Sequence, residues 1–332
     1  MKTYQPFIAY SRGFAITTIV LYHVLRHTPL PGFLGKAIAL GGAGVHLFFF
    51  FSGYGLVASR YAGAKEFIVR RFQKILLPYY LIITTIFLLN ISLNVYKDGF
   101  YEYLGHIFLF KMFSTSINSF GGQFWYMSTL IQFYLCFPLI LFLVNSSKPK
   151  FALFIAIGLS LSYGGWVAYM GQEEERHYNS FFFQYLWEFV LGMLLYKTEM
   201  LQKLIERPIW QYFMVIAVGY SIMGILVLKF GSIGKIYNDY FSFMAYFSVC
   251  VVAYRSRFMI KFFDSIDAFS YTLYLTHYFV IDLYRKLISE MPNYNYHDAF
   301  IVILLTYLLG YYTNEVMKKV FSKGKQAVPR SI

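Results

Sequence analysis

Arg12 and His23 stand eleven residues apart in the first long apolar run of the chain, Arg12-Gly-Phe-Ala-Ile-Thr-Thr-Ile-Val-Leu-Tyr-His23. Eleven steps of about 100° make roughly three turns of α-helix, so both side chains fall on one face, about 16 Å apart along the axis. Ionisable groups inside a membrane span are costly and mark a functional site by default. Imidazole is suited to proton transfer because its unperturbed pKa lies near neutral pH. The plain structural alternative is that Arg12 flanks the first span on the cytoplasmic side and His23 is an interhelical histidine with satisfied hydrogen bonds.

Such a pair needs a membrane-embedded scaffold, and the composition supplies one. Hydrophobic residues make up 58%, aromatic residues 22% and charged residues only 14% of the 332 residues, which excludes an ordinary soluble domain. A span takes about 20 apolar residues. Windows at residues 13–30, 39–58, 75–95, 124–145, 151–170, 180–196, 210–228, 238–254, 266–288 and 298–317 predict an all-α polytopic transmembrane bundle of about ten spans. They leave no room for a soluble domain, so residues 1–332 read as a single membrane domain.

The net charge of +13 is sorted by loop, so it reports topology and not nucleic-acid binding. Arg60, Lys65, Arg70, Arg71 and Lys74 fill one loop, and Lys148 with Lys150, Lys197 with Lys203 and Arg207, and Arg255 with Arg257 and Lys261 fill others. The tail adds Lys318, Lys319, Lys323, Lys325 and Arg330, whereas an intervening loop carries Glu173, Glu174 and Glu175. The positive-inside rule then puts both termini in the cytoplasm. The start at Met1 lacks a small-residue cleavage site, so the first helix reads as uncleaved. Cys136 and Cys250 both fall in apolar windows and read as free thiols; two cysteines make neither a disulfide framework nor a zinc site. No phosphate loop or Walker lysine is present, which disfavours an ATP-driven pump.

Polar groups recur in further windows. The second contains Gly41-Gly42-Ala43-Gly44 and Ser52-Gly53-Tyr54-Gly55, small residues that let helices approach closely, and His46, a second imidazole able to share a polar cavity with His23. Arg71 and Lys74, with Arg70 adjacent, share one face of a short helix before Leu77-Pro78-Tyr79. They read either as topology and lipid anchors or as a clamp for the phosphates of a cytosolic cofactor. In the fourth window Ser128 and Gln132 lie one turn apart, while Trp125 and Tyr126 fit an interfacial belt. Glu188 in the sixth needs a partner or a proton, and His277 in the ninth follows Tyr271 and Tyr274.

The order of these elements resembles the acyltransferase type 3 family of membrane acyltransferases. The resemblance rests on Arg12 with His23, on Gly44-Val45-His46-Leu47-Phe48-Phe49 with Ser52-Gly53, and on Arg70-Arg71 before Leu77-Pro78-Tyr79. It continues through Trp125 to Ser128 with Gln132-Phe133-Tyr134 and Pro138, Glu188-Phe189 with Gly192, and Tyr271 to His277. It implies a bundle of roughly ten helices in the cytoplasmic membrane that moves an acyl group, commonly acetyl, from cytosolic acyl-CoA to a hydroxyl of a cell-envelope glycan or lipid-linked sugar. His23 is then the catalytic histidine and Arg12 its motif partner. Arg71 and Lys74 stand for the family's arginine pair and, with Arg70, hold CoA phosphates. His46, Ser128, Gln132, Glu188 and His277 line the substrate cavity. Acyl-CoA is a donor substrate, no permanently bound cofactor or metal is expected, and formation of a homo-oligomer is open. This chain departs from the family pattern where Lys74 replaces the second arginine, where Leu130-Ile131 replaces an acidic pair, and where His46 replaces an aspartate. A secondary transporter or glycan exporter would also need buried polar groups and many spans, but paired broken helices in inverted repeats, its usual mark, are not evident. A membrane sensor or scaffold leaves the recurring histidines without a role.

Overall fold

Apolar runs of this length can satisfy their peptide groups away from water only by hydrogen bonding internally, and they do so as helices. The computed structural model describes residues 5–59, 61, 63–146, 148–288 and 295–326, with side chains as far as residue 321. Arg60, Arg330 and the side chains of Lys323 and Lys325, all used above to orient the chain, lie outside the described residues, as does the start at Met1.

Fifteen α-helices follow in order among the described residues, with no strand: α1 (Pro6–Leu25), α2 (Gly32–Ala39), α3 (Gly44–Ala58), α4 (Ala64–Arg71), α5 (Leu77–Leu93), α6 (Phe100–Ile107), α7 (Phe124–Ser146), α8 (Pro149–Tyr169), α9 (Arg176–Asn179), α10 (Leu186–Lys197), α11 (Leu201–Ile205), α12 (Ile209–Arg255), α13 (Ile260–Asp267), α14 (Ser270–Ile288) and α15 (Tyr296–Gln326). Among the described residues, seven helical stretches are long and apolar enough to cross a membrane. The difference from the ten sequence windows has local causes. The window at 180–196 is a 3-10 turn followed by a helix of only 12 residues. The one at 266–288 carries Asp267, Asp282, Arg285 and Lys286. Those at 210–228 and 238–254 are the two arms of α12, which folds back at Gly231 (φ 53°, ψ −124°), a left-handed position that favours glycine. Outward faces carry large apolar side chains such as Leu139, Phe142, Phe154 and Leu228, as a lipid-facing surface requires.

Helix α1 sits at the centre, against α3, α12, α13, α14 and α15. Small residues set the close crossings. A Cβ on Gly41 would lie 2.6 Å from Thr18 O and one on Gly44 2.8 Å from Ala15 O, which seats the start of α3 on α1. Helices α3 and α10 cross backbone to backbone through reciprocal glycines, with a Cβ on Gly53 falling 2.0 Å from Phe189 O and one on Gly192 2.0 Å from Phe50 O. Gly53→Ala therefore forces these helices apart and lowers stability by about 1–3 kcal/mol. Gly55→Ala, which meets nothing within 4 Å, serves as its control in thermal unfolding.

The segment linking α5 to α7 folds over its own polar core. His106 accepts from Tyr79 Oη at 2.7 Å on Nδ1 and faces Ser119 through Nε2, while Lys111 Nζ donates to Ile117 O at 2.7 Å. Burial pushes the Lys111 ammonium down to about 7 from an ordinary 10.5, against an opposing pull from Asp98. Burial, with the nearby Lys111 charge, also holds His106 well below its ordinary 6.5. Both groups bind fewer protons folded than unfolded, so stability rises with pH from about 7 to 10.5 through Lys111, and through His106 it is lost as the pH drops below 6.5. The melting temperature of the wild type should climb between pH 7 and 9, and Lys111→Met should flatten that climb.

Candidate functional site

Helices α1, α3, α7 and α14 enclose a cavity of about 240 Å³ that holds both Arg12 and His23 in its wall. Arg12 also lines a second cavity of about 590 Å³, walled by Gln5, Tyr54, Tyr196, Glu199 and Gln202. The guanidinium thus stands where a polar vestibule meets the chamber containing His23.

Helix α1 runs parallel to, and in register with, the segment from the end of α13 through α14. Arg12 forms a two-pronged ion pair with Asp267 (Nε to Oδ1 2.8 Å, Nη2 to Oδ2 2.7 Å), and His23 Nδ1 shares a hydrogen bond of 3.0 Å with Tyr278 Oη. The partners are 255 residues apart in both pairs, so the eleven-residue spacing on α1 is matched by an equal one from Asp267 to Tyr278. His277 faces the same chamber, its ring centroid 5.5 Å from that of His23. Its Nδ1–H donates to Tyr274 O at 2.7 Å, which leaves a lone pair on Nε2.

The basic cluster is split by local geometry. A π-helical turn covers Phe72–Leu76, and its wider winding, about 4.4 residues per turn against 3.6, rotates Lys74 off the face of Arg71. Arg71 turns inward: Nη2 donates to Ser59 Oγ at 3.3 Å, and the guanidinium lies 5.9 Å from the ring of Tyr134, a residue of the chamber wall. Arg70 pairs with Glu66 at 3.3 Å, and Lys74 is exposed. The shared face expected for Arg71 and Lys74 is therefore corrected.

Four expected cavity residues lie elsewhere. Helix α3 offers Val45, Phe48 and Ser52 to the chamber and turns its other side, with His46, Phe50 and Gly53, towards α10. There His46 Nδ1 meets Glu188 Oε2 at 3.1 Å and His46 Nε2 meets Asp239 Oδ1 at 3.6 Å, while Gln184 Nε2 donates to Asp239 Oδ2 at 2.9 Å. This is a buried charge network separate from the chamber, and His46 does not share a cavity with His23. On α7, Tyr126, Leu130 and Tyr134 face the chamber; Ser128 is turned about 200° from Tyr126. Ser128 Oγ bonds back to Phe124 O at 3.4 Å, and Gln132 Oε1 accepts from Phe182 N at 3.0 Å. Trp125 and Tyr126, read as interfacial belt residues, are chamber walls. The thiols are free, with Cys250 buried and Cys136 partly so.

Residues 5–315 match the model of an acyltransferase domain, that of the acyltransferase type 3 family. The chain belongs to this family. As an acyltransferase type 3 protein it is a multi-pass membrane acyltransferase. No curated protein and no solved structure matches it. Sequence reasoning missed Asp267, Tyr278, Gln184 and Asp239 in these assemblies, and Gln123, which also lines the chamber. The first two carried a usable signal, an aspartate and a tyrosine spaced eleven apart as Arg12 and His23 are, but only the docking of α13 and α14 along α1 gives it meaning. Asp239 lay at the edge of an apolar window and drew no attention as a partner for His46.

Proposed function

We propose that this acyltransferase moves an acyl group, acetyl in the first instance, from cytosolic acyl-CoA to a hydroxyl of a cell-envelope glycan or lipid-linked sugar. The observation that carries the reading is the chamber itself, which holds the His23 imidazole at one level and meets a polar vestibule at Arg12. In this reading the protein sits in the cytoplasmic membrane with both termini in the cytoplasm. Ten crossings result when the arms of α12 count separately and α10 and α14 join the seven long apolar stretches.

His23 acts as general base. Its Nδ1–H donates to Tyr278 Oη, which orients the ring and leaves the lone pair of Nε2 to take the proton of the acceptor hydroxyl. The hydroxyl oxygen attacks the thioester carbonyl, the carbon–sulfur bond breaks, and the imidazolium returns the proton to the CoA sulfur. Positioned proton transfer of this kind contributes about 10²- to 10⁴-fold. Arg12, held by Asp267, borders the route of the donor, and Arg71 at the chamber's edge pairs with CoA phosphates. Guanidinium and phosphate match as two-pronged partners.

The test is binding of acetyl-CoA to the purified protein in detergent. Arg71→Ala should weaken it more than tenfold, by the loss of a charge-assisted pair worth about 1.5–3 kcal/mol, whereas Arg70→Ala should change it little. Folded wild-type protein that binds neither acetyl-CoA nor longer acyl-CoAs would overturn the reading.

A further inference from the structure

Two buried acceptor atoms stand beside His23 without a donor among the described residues. His277 is fully buried, its Nδ1–H is committed to Tyr274 O on its own helix, and Nε2, on the ring edge turned away from that backbone, has no hydrogen-bond partner. Gln123 is 4% exposed and also lines the chamber. Its side chain meets Leu275 O at 3.4 Å; a carbonyl only accepts, so the amide nitrogen must face it, which leaves Oε1 as the second acceptor without a partner. Tyr274 ties the two together, since its Oη donates to Gln123 O at 2.9 Å and its own carbonyl receives the His277 proton.

Buried polar atoms in folded proteins are almost always satisfied, and the exceptions ask for an explanation. Two acceptors of one kind in one chamber wall define the complement, a ligand that brings O–H or N–H donors; both atoms are closed off as the side chains stand, with Gln123 Oε1 packed over Gly121, so such a ligand reaches them by shifting the side chains of the wall. We infer that His277 and Gln123 form the acceptor-reading subsite of this acyltransferase, which binds a polyol by hydroxyls next to the one that is acylated. The inference rests on the acyl-CoA reading above. The amide N–H groups of the pantetheine arm are the other source of such donors. That arm arrives from the Arg12 end, and its amides lie on the Arg12 side of the thioester, whereas His277 stands at the level of His23, three turns further along α1. His23 keeps the proton transfer; His277 and Gln123 choose which molecule presents the hydroxyl. A site built to hydrogen-bond a substrate hydroxyl rejects analogues lacking it, because its own buried groups are then left unpaired.

The experiment measures acyl transfer from acetyl-CoA by the purified full chain to two probes, a set of methyl glycosides and benzyl alcohol, which has a single hydroxyl. Thioester cleavage in the absence of either probe is followed in parallel. The variants are His277→Asn, whose side-chain amide retains a donor for Tyr274 O but offers no lone pair at the Nε2 position, and Gln123→Leu as an independent second substitution. The wild type should prefer a glycoside by at least about 10²-fold, and each variant should lose that preference with the KM for acetyl-CoA held. A His277→Asn variant that raises the KM for acetyl-CoA while retaining the glycoside preference would assign the acceptor atoms to the pantetheine arm and overturn the inference. So would wild-type kinetics in both variants, or a wild type that cleaves the thioester without preferring any glycoside. A wild type that leaves acetyl-CoA uncleaved overturns the acyl-CoA reading itself, and this subsite with it, a result distinct from the others.

Discussion

His23→Ala is expected to abolish acyl transfer while the protein still inserts, folds and purifies. The imidazole is only partly buried, and its hydrogen bond to Tyr278 Oη is shared between side chains, so truncation removes no backbone pairing and opens no sealed core. Loss of a positioned base costs about 10²- to 10⁴-fold in rate, and more where no water can take its place. Tyr278→Phe should be milder, since it removes the group that orients the ring and leaves the base itself. Transfer assays read against membrane yield and melting temperature check both. His23→Ala protein that transfers at the wild-type rate would remove His23 from the chemistry and leave His277 as the one imidazole in the chamber wall.

Glu188→Ala is expected to be the most damaging single change to stability. Glu188 is wholly buried, His46 is 4% exposed, and the two meet at 3.1 Å between helices that touch backbone to backbone. Removing one member of a buried ion pair costs about 3–5 kcal/mol, because the other charge stays behind without its partner. That is a large part of the roughly 5–15 kcal/mol that holds a typical domain folded. Glu188→Gln retains an oxygen to accept from His46 and should recover much of the loss. Since the network lies outside the chamber, the folded Gln variant should transfer acyl groups with a KM and kcat close to the wild type. A Gln variant that melts normally but fails to turn over would return Glu188 to the chemistry.

The contrast between His46 and His23 shows how far a sequence reads. Each is a lone imidazole in an apolar run, and helical periodicity treats them alike. What separates them is which face of α3 meets α10, and that depends on Gly53 and Gly192, whose partners Phe189 and Phe50 are far away in the chain. The same holds for Ser128 and Gln132: their mutual spacing was legible, but the direction of their shared face was not, because rotation of α7 is set by the neighbours it packs against. Lys74 was misread for a local reason, a single π-turn that changes the angle per residue without an obvious sequence mark.

From the amino-acid sequence alone came the membrane class, from hydropathy; the helical class, from the need to satisfy peptide groups in lipid; the placement of Arg12 and His23 on one face, from a spacing close to whole turns; and the family, from the order of its motifs. Those properties are local or cumulative along the chain, so they survive without knowledge of neighbours. Tertiary structure alone decided that Asp267 and Tyr278 answer Arg12 and His23, that Arg12 stands between two cavities, and that His277 and Gln123 hold buried acceptor atoms without a partner in the chamber wall while His46 and Glu188 satisfy each other elsewhere. Each of these is a contact between segments distant in sequence, set by the rotation and register of packed helices, which hydropathy and periodicity leave free.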